Sequence, residues 1–397
     1  MLENKNVLVG VSGSIASYKA CEVVRLLQKK GANVKVCMTP SALEFVGKLT
    51  FQALTGEDVY IFWKDGKTGL EHITLARWAD VFLIAPASAN TIAKLRFGIA
   101  DNFLTSLALA YDKPIVIAPA MNTKMYENPA TQENLKVLKD RGYIIVSPSE
   151  GILACGEEGA GKLADLEDIL LAVKYAITPK LLKGKKVLIT AGGTREYFDP
   201  IRYISNASSG QMGYLLAESA YCMGADVVVI SAPTCLKLPS QIKKIDVISA
   251  QDMFKKVKEL YQEFDIIIMN AAVADFRPKD YSSQKLKKDK ENLIIQLEPN
   301  PDILKFLGEN KKENQILIGF AAESDNLYQN AVDKLNRKNL DYIIANPVKV
   351  FSQDFYEGIL IDKSLNTLNI SAKTKEDASF EILKNCLLYT SDAADER

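Results

Sequence analysis

A single histidine, His72 in GLEHITLARWAD (residues 69–80), serves the whole 397-residue chain. Imidazole is the side chain whose unperturbed charge change lies nearest neutral pH, so one histidine can supply a general base but not a metal cluster. Taken alone, it reads as a hydrogen-bonded helix residue. Other segments of the first half give it company. VSGSIASYK (11–19) sets Ser12, Gly13 and Ser14 where an apolar run meets a helical one. Free N–H groups, a helix dipole and hydroxyls at such a turn suit a phosphate, although an ordinary tight turn has the same composition. The segment matches neither G-x-G-x-x-G nor G-x-x-x-x-G-K-[ST], so neither a dinucleotide site nor a P-loop is indicated. APASANTIAK (85–94) adds Ser88, Asn90 and Thr91, which could equally be an N-cap. PAMNTKMYENPA (119–130) adds Asn122, an amide able to hold a carboxylate. LACGEEGAGKL (153–163) puts Cys155 in a Gly-rich loop suited to a lid, where a thiol can donate a proton.

The second half carries a different set of groups. TAGGTREYFDPIRYISNASSGQMG (190–213) offers Gly192, Gly193 and Asn206, and Ser208, Ser209 and Gly210 prepare a helix start. NAAVADFRP (270–278) places Asp275 beyond a buried run and is followed by KLKKDK (285–290). NPDIL (300–304), GFAAES (319–324) and DKLNRKNLD (333–341) complete the polar loops, the last with Lys334 and Lys338 one helical turn apart. A lysine run is usually a solvated surface. Lysines beside Gly-rich strand ends also suit a triphosphate, as mobile charges that follow charge transfer.

Short β-branched runs alternating with helical-period segments position these groups, the pattern of an α/β fold with parallel sheets. Strands are expected at 6–11, 33–39, 80–85, 114–119 and 143–148, then at 186–194, 226–233, 265–275, 315–323 and 341–347. Ala20, Val23, Val24 and Leu27 mark one buried helical face. AITPKLLKGKK (176–186) breaks the pattern, so two doubly wound, Rossmann-like domains are expected, residues 1–178 and 184–388. Residues 357–371 read as an antiparallel hairpin on a sheet edge, and 389–397 as a disordered or non-native tail.

Lys plus Arg and Asp plus Glu both total 49, so nothing pulls the chain globally toward nucleic acid or anionic lipid. The apolar runs are strand-sized, and the N-terminus lacks the blocks of a signal peptide. Six cysteines without C-x-x-C spacing argue against a zinc site and for a reducing compartment. A soluble cytoplasmic protein is expected, without nucleic-acid or membrane partners.

GSIASYK, the histidine of EHITLARWAD, PAMNTKM and ACGEEGAGKL occur in the order of the flavin-containing cysteine decarboxylases. Over about the first 175 residues the chain resembles the phosphopantothenoylcysteine decarboxylases of coenzyme A biosynthesis. The resemblance implies a flavodoxin-like domain binding FMN at Ser12, Gly13 and Ser14, with Thr39, Ser88, Asn90 and Thr91 as further contacts. It implies His72 as base, Asn122 as holder of the substrate carboxylate and Cys155 as proton donor. Tyr126 stands where the family often has Trp. An α-amidocarboxylate has no electron sink for decarboxylation, and oxidation of the neighbouring thiol to a thioaldehyde creates one.

AGGTRE, RYISNASSGQMG, AAVADFRP, KLKK, NPDI, GFAAE and RKNLD resemble, in order, the CTP-using phosphopantothenate–cysteine ligases. That resemblance implies Asn206 in turnover of an acyl-cytidylate and Lys285 as the lysine of a mobile loop. It implies CTP contacts at Asn270, Ala271, Asp275, Lys285, Pro301, Asp302, Ile303, Leu304, Phe320, Lys334 and Lys338. Phosphopantothenate, cysteine and CTP would be the substrates. Mg²⁺ is expected mainly on the nucleotide, with no metal ligands assigned. The family further implies homo-oligomers: trimeric decarboxylase domains, dimeric ligase domains and together a dodecamer. Two other readings stand beside it, a flavin prenyltransferase-like FMN protein in the first half and a catalytically inactive flavin-binding interaction protein.

Overall fold

The computed structural model describes residues 1–65, 68–152, 156, 158–287, 293–323, 325–347 and 355–391. The chain divides into two compact units, Met1–Thr178 and Pro179–Arg397.

The first unit is built on β1 (Asn6–Val11), β2 (Asn33–Met38), β3 (Val59–Tyr60), β4 (Val81–Ala87), β5 (Ile115–Pro119) and β6 (Ile144–Ile145). They pair in parallel in the order β3-β2-β1-β4-β5-β6. Helices α1 (Lys19–Lys29), α2 (Lys48–Thr55), α3 (Glu71–Trp78), α4 (Ala89–Phe97), α5 (Phe103–Leu109), α6 (Thr123–Glu127), α7 (Pro129–Asp140) and α8 (Leu166–Ile177) cover the sheet. Every residue of β4 is buried, as a central strand covered on both faces requires. One face packs Val7, Val9, Val36 and Leu83 with Val23, Val24 and Leu27 of α1; the other packs Leu8, Phe82 and Ile84 with Phe103 and Leu104 of α5. Helix α1 buries Ala20, Val23, Val24 and Leu27, the face its spacing predicts. An antiparallel pair, β7 (Ser149–Ile152) and β8 (Glu158–Lys162), precedes α8.

The second unit repeats the plan. Strands β9 (Lys186–Ala191), β12 (Asp226–Ser231), β13 (Lys243–Asp246), β14 (Ile266–Met269), β17 (Ile316–Glu323) and β18 (Tyr342–Pro347) are parallel in the order β13-β12-β9-β14-β17-β18. Counted along the unit, that is again 3-2-1-4-5-6. The expected hairpin is present as antiparallel β19 (Tyr356–Asp362) and β20 (Thr367–Ala372), which extend the edge at β18. Two small antiparallel ribbons, β10 (Arg195–Tyr197) with β11 (Tyr203–Ser205) and β15 (Phe276–Pro278) with β16 (Leu297–Pro299), leave the central strands. Helices α9 (Gln211–Cys222), α10 (Ala250–Leu260), α11 (Ile303–Asn310), α12 (Leu327–Arg337) and α13 (Lys375–Ser391) complete the layers. Helix α13 carries into the stretch read as a tail; 392–397 lie outside the described residues.

Several strands end before their expected limits, β9 at Ala191 and β12 at Ser231, and two are much shorter. The run 143–148, on the sheet edge, forms a ladder only at Ile144–Ile145, with Val146 N adding one last bond to Ile117 O. The run 265–275 leaves the sheet after Met269, since its next residues bond to the loop after β9. Among the described residues, no helix is long and apolar enough to cross a membrane.

Candidate active sites

In an order of 3-2-1-4-5-6, the chain reverses direction across the sheet between strands 1 and 4, and the loops leaving those strands part to form a crevice. In the first unit these are the loops after β1 and β4, and a hydroxyl joins them. Ser12 is fully buried; its Oγ donates to Pro86 O at 2.8 Å and accepts from Ser88 N at 2.8 Å. Ser88 then caps α4: its Oγ accepts from Thr91 N and donates to Thr91 Oγ1. Ser14 caps the short helix Ile15–Tyr18 and donates to Ala120 O, 3.4 Å away at the end of β5. Thr39 enters from β2, its N–H bonded to Val11 O and its hydroxyl 3.1 Å from Ser41 Oγ. Gly13 packs so tightly that a Cβ there would stand 2.7 Å from Ser41 Oγ.

Ser12, Gly13, Ser14, Thr39, Ser88 and Thr91 therefore share one rim; Asn90 lies exposed in the first turn of α4. Asn122 borders the same rim as the N-cap of α6, its Oδ1 accepting from Lys124 N at 2.9 Å. The hairpin β7–β8 closes against it: Met121 N donates to Gly161 O at 2.9 Å. Gly161 has φ +133°, and a Cβ there would reach within 2.4 Å of Met121 O, so this approach requires glycine. Cys155 lies outside the described residues.

His72 sits in the first turn of α3 but not in this hydrogen-bonded set. Its ring meets Trp63 edge-on at 4.9 Å and Phe103 at 6.5 Å, and its Nδ1 is buried without a hydrogen-bond partner. Thr123 Oγ1, beside Asn122, is likewise buried and unpaired. Neutral hydroxyls and amides at helix starts, an amide on the rim and an imidazole on an aromatic wall fit a mononucleotide of flavin type. Ser41, Thr123, Trp63 and Gly161 were missed in the sequence; only the Gly-rich spacing around Gly161 signals any of them.

In the second unit the corresponding loops follow β9 and β14. Ala272 N donates to Gly192 O at 2.8 Å, Thr194 N to Ala272 O at 3.3 Å and Ala274 N to Thr194 Oγ1 at 2.9 Å. Gly192 has φ +82°, and a Cβ there would lie 2.7 Å from Ala232 O. Asn206 spans the same crevice, its amide donating to Val273 O at 3.1 Å. Asn270 and Ala271 begin the β14 loop, where Thr190 Oγ1 accepts from Ala271 N. The Pro301 loop is held on Asp275: Asn300 N donates to Asp275 O at 2.8 Å and its side chain to Ala274 O at 2.9 Å.

Asp302 caps α11, accepting from Lys305 N, and its other oxygen takes Lys338 Nζ. Burial raises the Asp302 carboxyl, but the Lys338 and Lys305 N–H donors outweigh it and hold the group below the usual carboxylate range. Ile303 turns its side chain into the core, leaving its backbone at the helix start; Leu304 packs partly against that core. Lys334 donates to Phe320 O at 2.8 Å. Burial pushes its ammonium pKa down and Lys338 adds to this, while Glu323, Asp275 and Asp302 oppose it. Two lysines and three carboxylates thus act on one another where a polyphosphate could replace the carboxylates.

Lys285 is exposed, but the next residue is gripped. Arg202 Nη2 donates to Leu286 O, and Leu286 N donates to Asp199 Oδ2 at 3.3 Å. Asp199, Arg202, Thr194 and Glu323 were not singled out in the sequence. Among the described residues, no group of three or more His, Cys, Asp or Glu side chains could hold a metal ion.

Residues 1–178 match the family described as Flavoprotein, and residues 182–389 match the DNA/pantothenate metabolism flavoprotein C-terminal domain. The bifunctional coenzyme A biosynthesis protein CoaBC of Bacillus subtilis is 48% identical over 394 residues, 97% of each chain. A crystal structure of a CoaBC C-terminal domain is 41% identical, with a TM-score of 0.47, over 54% of this chain and 99% of that one. A PPC decarboxylase mutant complexed with pantothenoylaminoethenethiol is 36% identical, with a TM-score of 0.40, over 43% of this chain and 97% of that one. A flavoprotein unit followed by a pantothenate-metabolism unit, aligned with such a relative over nearly its whole length, belongs to the family of bifunctional coenzyme A biosynthesis proteins.

Proposed function

We propose that the two activities divide between the units, with residues 184–388 joining cysteine to phosphopantothenate at the expense of CTP and residues 1–178 decarboxylating the product. The observation that carries this reading is shared by both sheets: at each crevice the two central loops are tied directly to one another, through Ser12 and Ser88 or through Gly192 and Ala272. Each unit thus has its own rigid ligand-binding edge, as two consecutive reactions require.

In the first unit, Ser14, Thr39, Ser88, Asn90 and Thr91 would hold FMN, with Ser12 and Gly13 shaping their turn. Bound FMN supplies the two-electron redox chemistry that gives the departing carboxylate an electron sink. Asn122 orients the carboxylate, His72 accepts a proton from the substrate and Cys155 returns one. Excluding water is the task of the hairpin that closes on Met121.

In the second unit, Lys338 exchanges Asp302 for the triphosphate and Lys334 turns to it from the Phe320 carbonyl, the nucleotide entering as its Mg²⁺ complex. Asn270, Ala271, Asp275, Phe320 and the Pro301–Leu304 turn seat the nucleoside. Lys285 neutralises charge as the phosphopantothenate carboxylate attacks the α-phosphate and pyrophosphate leaves. Asn206 then orients the acyl-cytidylate for attack by the cysteine amine, which expels CMP. The free thiols at Cys21, Cys37, Cys222, Cys235 and Cys386 suit a cytoplasmic enzyme. Homo-oligomers through both units complete the proposal.

Two separate assays test the division. Supplied with phosphopantothenate and CTP but no cysteine, the protein should release pyrophosphate and form the acyl-cytidylate. Supplied with phosphopantothenoylcysteine alone, it should release CO₂. Loss of the first refutes the ligase assignment. Loss of the second in a flavin-loaded sample refutes the decarboxylase assignment and favours an inactive or prenyl-transferring flavoprotein.

A further inference from the structure

We propose that Asp199, paired with Arg202, is a positioning residue that sets the Lys285 segment over the ligase site; this rests on the reading of Lys285 as the lysine of acyl-nucleotide formation. Asp199 is fully buried, and its two oxygens divide their work. Oδ1 serves its own turn, accepting from Ile201 N at 2.9 Å and Arg202 N at 2.7 Å. Oδ2 faces outward from that turn, accepting from Arg202 Nε at 2.9 Å and from Leu286 N at 3.3 Å. The Arg202 guanidinium completes the grip by donating Nη2 to Leu286 O.

One residue, 87 positions away from Asp199, therefore has both its backbone N–H and its backbone C=O held by a single ion pair. Leu286 directly follows Lys285, so this grip fixes the chain from which the lysine projects. A lysine stem has four rotatable carbons, and its ammonium can be placed only as well as its Cα is placed. Burial raises the Asp199 carboxyl, and the N–H groups of Ile201, Arg202 and Leu286 outweigh it, so the carboxylate holds its charge. The pair also links the two ribbons: Asp199 and Arg202 lie between β10 and β11, and Leu286 lies between β15 and β16.

Asp199→Asn separates the two jobs. Its carbonyl oxygen can stay at the Oδ1 position and keep the local turn, while its NH₂ replaces Oδ2 and faces the donors of Arg202 and Leu286. Pyrophosphate release without cysteine is then expected to fall about tenfold or more in kcat, with the nucleotide KM changed less than about threefold. Trypsin reads the geometry directly: cleavage after Lys285 should rise about tenfold relative to cleavage after exposed Lys237, with the fragments assigned by mass.

A double-mutant cycle distinguishes positioning from general support. In a Lys285→Gln background, Asp199→Asn should lower the residual rate less than about twofold, because its effect passes through the lysine. An equal loss in both backgrounds overturns the proposal, as does a wild-type rate with a wild-type tryptic ratio. If Asp199→Asn lowers the melting temperature sharply, Arg202→Lys decides. It keeps the charge but loses the fork, and it should show the same kcat loss and tryptic gain; wild-type behaviour overturns the proposal. A full rate in Lys285→Gln alone instead removes the reading of the lysine, an outcome separate from all of these.

Discussion

Ser12 Oγ and Ser88 N lie 2.8 Å apart, and this hydrogen bond joins the loops of the two strands that flank the first crevice. The same hydroxyl donates to Pro86 O, so both of its roles are used within the protein. Ser12→Ala leaves the part-buried Ser88 N–H without its partner, while Pro86 O keeps the Ser12 backbone N–H, a loss of about 1–3 kcal/mol. Both tryptophans, Trp63 and Trp78, lie in the first unit. Urea unfolding followed by tryptophan fluorescence should therefore shift by that amount, and flavin should be held less tightly.

His72 is the chain's only imidazole, so no second histidine can substitute for it. His72→Asn is expected to lower CO₂ release from phosphopantothenoylcysteine by about a hundredfold or more. Pyrophosphate release by the second unit should remain at the wild-type rate. Assaying both activities on one sample separates loss of the base from loss of the fold.

Gly161 holds the β7–β8 hairpin against Met121 at a distance that admits no side chain. Gly161→Ala adds a methyl group 2.4 Å from Met121 O and strains a backbone at φ +133°. The hairpin must lift from the Asn122 loop. Decarboxylation is expected to fall about tenfold or more, with ligation unchanged, as steady-state rates for the two half-pathways would reveal.

Lys334 carries an ammonium whose pKa burial depresses below its ordinary value of 10.5. A bound triphosphate favours the charged form, so CTP affinity should fall as pH rises through the depressed pKa. In Lys334→Arg, which stays protonated, that dependence should vanish. Linkage gives a second sign. Between the depressed folded value and 10.5 the unfolded chain binds more protons, so the Lys334 contribution to unfolding free energy rises with pH across that window. Titration calorimetry with CTP, and urea unfolding of wild type against Lys334→Met, test the two.

Much of the fold is legible locally. Ala20, Val23, Val24 and Leu27 announce α1 because a helix repeats its buried face every three to four residues. Strand limits are less legible, because they depend on partners elsewhere. The run 265–275 stays apolar past Met269, yet Ala272 and Ala274 bond to the loop after β9, with Gly193 and Ala272 forming a lone parallel bridge in place of a continued ladder. Site residues at strand ends could be found because polar turns follow buried runs. The Asp199–Leu286 and Ser14–Ala120 contacts join residues 87 and 106 positions apart, and no local pattern encodes them. His72 shows the converse: its scarcity drew attention, while its aromatic wall of Trp63 and Phe103 became visible only in the fold.

The most direct test incubates the purified, flavin-loaded protein with phosphopantothenate, cysteine, CTP and Mg²⁺ and follows the products by mass spectrometry. Phosphopantothenoylcysteine should appear first, with CMP and pyrophosphate, and should then give way to phosphopantetheine. Absence of the cysteinyl adduct, or its accumulation without phosphopantetheine, would contradict the account.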